Sequence, residues 1–221
     1  MSFKHLIILF LLLLSVFLIF ATVSSVGIIA EFSNHITLFF RQYSSLYPRM
    51  AVGLFIAFAA ISVLFGPFTS VFLVPIAILL WGMIRTFIFL LTGWLIGGVL
   101  TYALGRFIGY PIVTKLVSKA QVDEWIDWIS KEATFILAFL FRLALPAETG
   151  YVFGLVKYNF WKYMLIVFLV EFPIGLLIIF AGDAFLDQSG WKFASSAASA
   201  LIIFGMAGYA IQRRRKIHSS A

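Results

Sequence analysis

The sequence predicts an all-α polytopic membrane protein with about five spanning helices, two re-entrant hairpins and an interfacial amphipathic helix. Three observations carry this. Of 221 residues, 63% are hydrophobic and 11% charged, and the mean hydropathy is +1.08, whereas an ordinary soluble domain is roughly a quarter charged. The apolar residues gather in runs long enough to cross a hydrocarbon core, which takes about 20 residues. Two runs are broken by proline, one at Pro67 and Pro75 and the other at Pro146, so neither reads as a plain crossing.

Residues 6–29 form the first run. Behind Lys4 and His5 it reads as an uncleaved anchor more readily than as a signal peptide cut near Ala21. Residues 31–48 are polar enough to leave the core, with Ile36, Phe39, Phe40 and Tyr43 at helical spacing for lying on the membrane surface. Residues 50–65 supply the second span, ended by Gly66 and Pro67. Residues 68–81 stay apolar but are cut by Pro75 and closed by Gly82, which suits a re-entrant segment covered by protein. After Arg85, residues 86–108 place Gly93, Gly97, Thr101, Gly105 and Gly109 four apart. That spacing lines small side chains along one helical face and lets a neighbouring backbone approach closely.

Residues 111–132 change character. Ile112, Val113, Leu116, Val117, Val122, Trp125, Ile126 and Ile129 share one side, Lys115, Lys119, Asp123, Glu124, Asp127 and Lys131 the other, and Pro111 suits a helix start. This is the predicted interfacial helix, with Trp125 and Trp128 as anchors. Next come the broken apolar run at 133–156, a span at 161–181 carrying Glu171 and Pro173, a loop with Asp183 and Asp187, and a last span at 193–211. The chain thus divides into an N-terminal anchor and surface segment (1–48), a transmembrane core (49–190), and a C-terminal span with a basic tail (191–221).

Charge placement argues for the second hairpin. The tail Arg213, Arg214, Arg215 and Lys216 reads as a cytoplasmic stop and an attraction to anionic lipid, and it accounts for four cations of a net charge of +7 without nucleic acid. If residues 133–156 crossed once, Lys115, Lys119 and Lys131 would face the opposite side from that tail, against the positive-inside tendency. If they dip in and return, both basic regions share the cytoplasm, with Pro146 near the tip. Counted backward, the same topology leaves Lys4 outside.

Several chemistries are excluded. The chain has no cysteine, hence no disulfide or thiolate metal site. His5, His35 and His218 fall outside the most hydrophobic runs, and neither a His-Glu-x-x-His zinc pattern nor a Gly-x-Ser-x-Gly elbow occurs. No glycine-rich phosphate loop is present either. The sequence therefore predicts no enzyme, no cofactor, no metal and no direct use of ATP.

Function is expected where ionisable groups enter the broken run. Arg142 and Glu148 lie astride Pro146 in an otherwise apolar segment. An ionisable group at membrane depth costs about 2.5 kcal/mol or much more, so it normally faces a cavity or a partner. A guanidinium offers a planar fork suited to phosphate oxygens, and a proline break frees backbone groups that a head group can use. Burial penalises a charged carboxylate, which makes Glu148 and Glu171 candidates for proton exchange. The alternative is that Arg142 and Glu148 only neutralise one another. Arg106, near a helix end, either binds substrate or snorkels to the interface.

Two pieces resemble the bacterial DedA family and its wider SNARE-associated Golgi protein (VTT-domain) superfamily. One is Gly97-Gly98-Val-Leu-Thr-Tyr-Ala-Leu-Gly105-Arg106-Phe-Ile-Gly109, similar to the family's small-residue helix with its Gly-Arg pair. The other runs from Phe139-Leu-Phe-Arg142-Leu-Ala-Leu-Pro146 through Gly150 and Gly154 to Tyr158-Asn-Phe-Trp-Lys-Tyr163, similar to its arginine-proline hairpin. The resemblance covers roughly residues 66–187. It implies two re-entrant hairpins meeting inside a bacterial cytoplasmic membrane from opposite faces, and movement of lipids or lipid-linked phosphates such as undecaprenyl phosphate. The candidate substrate site read from these residues is Arg142, Pro146, Glu148, Gly150 and Arg106. This chain departs from the pattern in having Glu148 where many members place a second arginine, and no carboxylate between residues 66 and 81.

The expected function is thus an integral membrane lipid transporter that moves an anionic lipid between leaflets. Glu148 and Glu171 would couple protons, Gly93, Gly97, Gly105 and Gly109 would pack helices, and membrane lipids would be the partners. A proton- or ion-coupled carrier of small solutes and a non-transporting membrane organiser stand as alternatives, and the oligomeric state is left open.

Overall fold

The computed structural model describes residues 44–65, 70–116, 134–144 and 149–187, with separate positions within 38–42, 119–126 and 189–202. Among them all regular structure is helical. In chain order it comprises α1 (Pro48–Phe65), a 3-10 turn (Ser70–Leu73), α2 (Val74–Trp81), α3 (Met83–Ala103), a π turn (Leu104–Ile108), α4 (Tyr110–Leu116), α5 (Phe135–Ala144), α6 (Thr149–Leu155) and α7 (Phe160–Leu186).

The boundaries have local causes. Pro75 falls in the first turn of α2 and Pro111 in that of α4, where a missing amide hydrogen costs nothing. Gly82 and Gly109, at φ of 77° and 82°, end α2 and the π turn in a conformation that glycine enters without strain. Asn159 caps α7, its side chain accepting the Lys162 amide hydrogen at 3.0 Å.

Two helical stretches are long and apolar enough to cross a membrane: Met83–Ile108, which is α3 with its π turn, and Phe160–Leu186. Each is about 40 Å long. The α1 helix and the Ser70–Trp81 stretch are apolar but shorter. Of the five crossings expected from the sequence, 86–108 and 161–181 are long and apolar enough among the described residues, while 50–65 falls in the shorter α1. The first expected span, 6–29, lies outside the described residues, as does 193–211 apart from separate positions.

The two long helices run antiparallel. Trp94 of α3 lies beside Gly175 of α7, Gly98 beside Val167, and the Tyr102 ring stacks on Tyr163 at 5.2 Å. Around one half of this pair, α1 and α2 build a core from Phe55, Ala59, Val63, Val74, Ala77 and Ile78 with Leu90, Trp94 and Ile179. Around the other half, α5 and α6 build a second core from Ala138, Phe141, Val152 and Phe153 with Tyr102, Tyr163, Ile166, Val167 and Val170.

Small residues make these contacts possible. Apolar side chains gain little from leaving lipid for one another, so helices in a membrane associate by close fit and internal hydrogen bonds. A Cβ on Gly93 would lie 2.5 Å from Ala59 Cβ and 2.7 Å from the Ile56 carbonyl, and one on Gly97 2.6 Å from the Ala60 carbonyl. These two glycines seat α1. Gly105 faces the Tyr151 carbonyl and Gly154 the Tyr102 carbonyl, so the π turn and α6 meet backbone to backbone. Gly109 differs from its series: it closes the π turn, and only Pro111 Cδ would come within 4.0 Å of a side chain there.

The amphipathic segment begins in α4. Val113 and Val122 are buried and Ile126 packs with them, while Lys119 and Asp123 are exposed. Trp125, expected as an interfacial anchor, is instead buried edge-on against Phe141 of α5 at 6.2 Å. Its large ring covers the second core. Trp128 lies outside the described residues.

One substitution type should have opposite effects at two glycines. Gly97→Ala forces a methyl group into the α1 backbone and should cost about 1–3 kcal/mol, lowering the thermal unfolding midpoint in detergent. Gly53→Ala, whose Cβ meets nothing within 4 Å, should leave that midpoint unchanged or raise it.

Candidate functional site

The segment expected as the second hairpin contributes two short helices to the described residues, α5 and α6, of 10 and 7 residues. Their lengths, about 15 Å and 10 Å, are too small for either to cross alone. In α5 the inward face carries Leu137, Ala138 and Phe141, and Arg142 follows on that face, four residues beyond Ala138. Ile136 is exposed on the other side. An arginine thus occupies a position that helical periodicity assigns to the core.

Its partner comes from α7. Tyr163, Val167, Glu171 and Gly175 recur at four-residue spacing on the buried face of that helix. Arg142 is 3% exposed and Glu171 9%, and an Arg142 Nη2 hydrogen is donated to Glu171 Oε1 in a buried ion pair. Pro173 follows two residues later inside α7 and removes the amide donor that would serve the Leu169 carbonyl, so the carboxylate stands where the helix backbone is already interrupted. Among the described residues, Arg142 Nε and Thr149 Oγ1 are buried without a hydrogen-bond partner.

Next to the pair lies a layer of hydroxyls. Tyr163 donates its phenolic hydrogen to the Gly98 carbonyl at 3.1 Å, and its oxygen lies 3.3 Å from Thr101 Oγ1. Gly150, in the first turn of α6, rests on both: a Cβ there would collide with Thr101 Oγ1 and lie 2.6 Å from the Tyr163 hydroxyl. Below it, Tyr102 donates to the Tyr158 carbonyl at 2.5 Å and closes the turn between α6 and α7. Between α1, the 3-10 turn and α3 lies an uncharged counterpart. Trp94 Nε1 donates to Ser70 Oγ at 3.2 Å, Ser70 and Ser62 hydroxyls lie 3.4 Å apart, and Ser62 donates to the Ala59 carbonyl at 2.7 Å. Tyr151 of α6 donates to the Leu64 carbonyl at 2.7 Å and ties α6 to the end of α1.

The structure brings Arg142, Glu171 and Gly150 into one region. Glu148, weighed in the sequence as the partner of Arg142, lies with Pro146 outside the described residues, and the ion pair on view is with Glu171. Arg106 is exposed on the π turn, whereas Arg142 is buried. Sequence reasoning passed over Tyr163 and Thr149, and it took Thr101 only as a small residue on a packing face. The available signal was the Tyr163, Val167, Glu171, Gly175 series, which sets a phenol on the face of the carboxylate.

These features define an integral membrane protein of helical type, whose buried ion pair is shared between the short helix α5 and the long helix α7. The VTT domain family matches residues 56–184, more than half of the chain, and the protein belongs to that family, the DedA/SNARE-associated Golgi protein group. No curated protein and no solved structure matches the chain.

Removing one partner of a buried ion pair leaves an uncompensated charge and costs about 3–5 kcal/mol, whereas replacing both with apolar groups of similar volume is often nearly neutral. Arg142→Met should therefore destabilise the protein strongly, and Arg142→Met with Glu171→Leu should recover most of the lost thermal midpoint. Additive losses in the double variant would show that the two side chains are not coupled.

Proposed function

We propose that this protein moves an anionic lipid between leaflets, with the Arg142–Glu171 pair as the head-group site. The buried pair carries the reading. A charge so costly in hydrocarbon is held on a short, broken helix rather than on a continuous crossing, beside the interrupted turn of α7. In this reading α1–α2 and α5–α6 are re-entrant hairpins entering from opposite faces of a bacterial cytoplasmic membrane, and the C-terminal tail is cytoplasmic.

At rest the Glu171 carboxylate occupies the guanidinium. An arriving phosphate replaces it, because phosphate matches the same planar fork and carries at least as much charge. The displaced carboxylate is left desolvated, and a proton taken up there keeps the exchange electrically balanced. Proton release then returns Glu171 to Arg142 and expels the lipid. Glu148, six residues after Arg142 in the sequence, can share this proton. The protein binds and translocates; it does not make or break covalent bonds.

Full-length protein in liposomes should accelerate translocation of a fluorescent anionic phospholipid, measured by dithionite quenching of the outer leaflet. Arg142→Ala should reduce that acceleration by about tenfold to a hundredfold, the value of a charge-assisted hydrogen bond. Arg142→Lys should restore only part of it, since an ammonium lacks the fork. Equal rates for the parent and Arg142→Ala would remove Arg142 from the transport path and favour the membrane-organising alternative.

A further inference from the structure

Arg142 and Gly150 sit on two neighbouring short arms, α5 and α6, and both rest on α7, Gly150 on α3 as well. The first arm is held by charge, through Glu171. The second is held by shape: the side-chain-free face of Gly150 lies on the hydroxyls of Tyr163 and Thr101. Tyr163 and Glu171 are two turns apart on the buried face of α7, and both the Arg142 and Glu171 charges are near enough to act on the Tyr163 hydroxyl.

The Tyr163 hydroxyl is itself fixed. Its ring is wholly buried, stacked on Tyr102 and tilted against Phe153 of α6, with both centroids 5.2 Å away. Its hydrogen goes to the Gly98 carbonyl, and Thr101 also donates to that carbonyl at 3.0 Å. Two hydroxyls converge on one carbonyl of α3 and present their oxygens toward the first turn of α6. A phenylalanine would keep the ring contacts and lose only the polar seat.

We propose that Tyr163, with Thr101, is a positioning residue for Arg142: the hydroxyl pair seats α6 through Gly150 and thereby sets the hairpin so that Arg142 meets Glu171. This rests on the translocation reading for its functional consequence but not for its geometric one. The hairpin has two supports on α7, and loosening the polar one lets the charged one wander.

The chain has no cysteine, so two spin labels can be placed cleanly at Ile136→Cys on α5 and Leu165→Cys on α7, both exposed positions. In liposomes, Tyr163→Phe and Thr101→Val should each broaden or shift the label-to-label distance distribution and slow anionic lipid translocation by about threefold to tenfold, the value of a net hydrogen bond. Thr101→Ser keeps the hydroxyl and should match the parent in both readouts. Unchanged distances in Tyr163→Phe and Thr101→Val would overturn the proposal, as would a Thr101→Ser variant as impaired as Thr101→Val, which would assign the effect to a methyl group. If the parent moves no lipid at all, the translocation reading fails and the distance distributions alone decide the positioning role.

Discussion

A guanidinium surrounded by hydrocarbon has to be neutralised inside the protein, and the arrangement around Arg142 follows from that requirement. Coulombic attraction is strong at low dielectric, yet removing both ions from water costs several kcal/mol per ion, so the pair holds only if its geometry is kept. A ten-residue helix cannot keep it alone. Phe141 and Ala138 anchor α5 in the second core, Trp125 covers it from outside, and α7 brings the carboxylate to the right turn. The wide aromatic core is thus the support of one polar contact.

That support depends in turn on how closely backbones approach. Where Gly105 meets the Tyr151 carbonyl and Gly154 meets the Tyr102 carbonyl, any side chain would push α6 away from the π turn. The hydrogen bond from Tyr151 to the Leu64 carbonyl spans the same junction, so the end of α1 and the start of α6 are fixed to each other. Leu64 lies at the C-terminal end of α1, and a phenol satisfies its carbonyl inside the protein.

Much of this was readable in the residues, for physical reasons. Four-residue spacing of small residues marks a packing face whatever the partner, and Gly93, Gly97 and Gly105 do face neighbouring backbone. Gly109 shares the spacing but not the role, because the helix widens into a π turn just before it and the register ends there. Arg142 was conspicuous as a charge in an apolar run. Its pairing with Glu171 was not, since nearness in sequence favoured Glu148, which lies outside the described residues, and Glu171 comes from 29 positions away. Trp125 illustrates the same limit: an amphipathic pattern fixes which face is apolar, but not whether lipid or α5 covers it.

Ser70 and Arg142 lie near one level of the long helices. Ser70 receives the Trp94 indole hydrogen, while Arg142 pairs with Glu171. Because Trp94 lies beside Gly175 in the antiparallel pair, and Gly175 is one helical turn from Glu171, both polar contacts fall beside the middle of the long helices. The first is made by hydroxyls and an indole without charge, and the second by the ion pair. In the proposed reading a head group approaching from either face therefore meets packed helix and then the Arg142 guanidinium. A site at Arg142 has a kinetic advantage over a string of charges along the path: a phosphate held at several arginines in succession would have to leave each in turn, whereas Glu171, waiting beside Arg142, can reclaim that guanidinium and release the lipid.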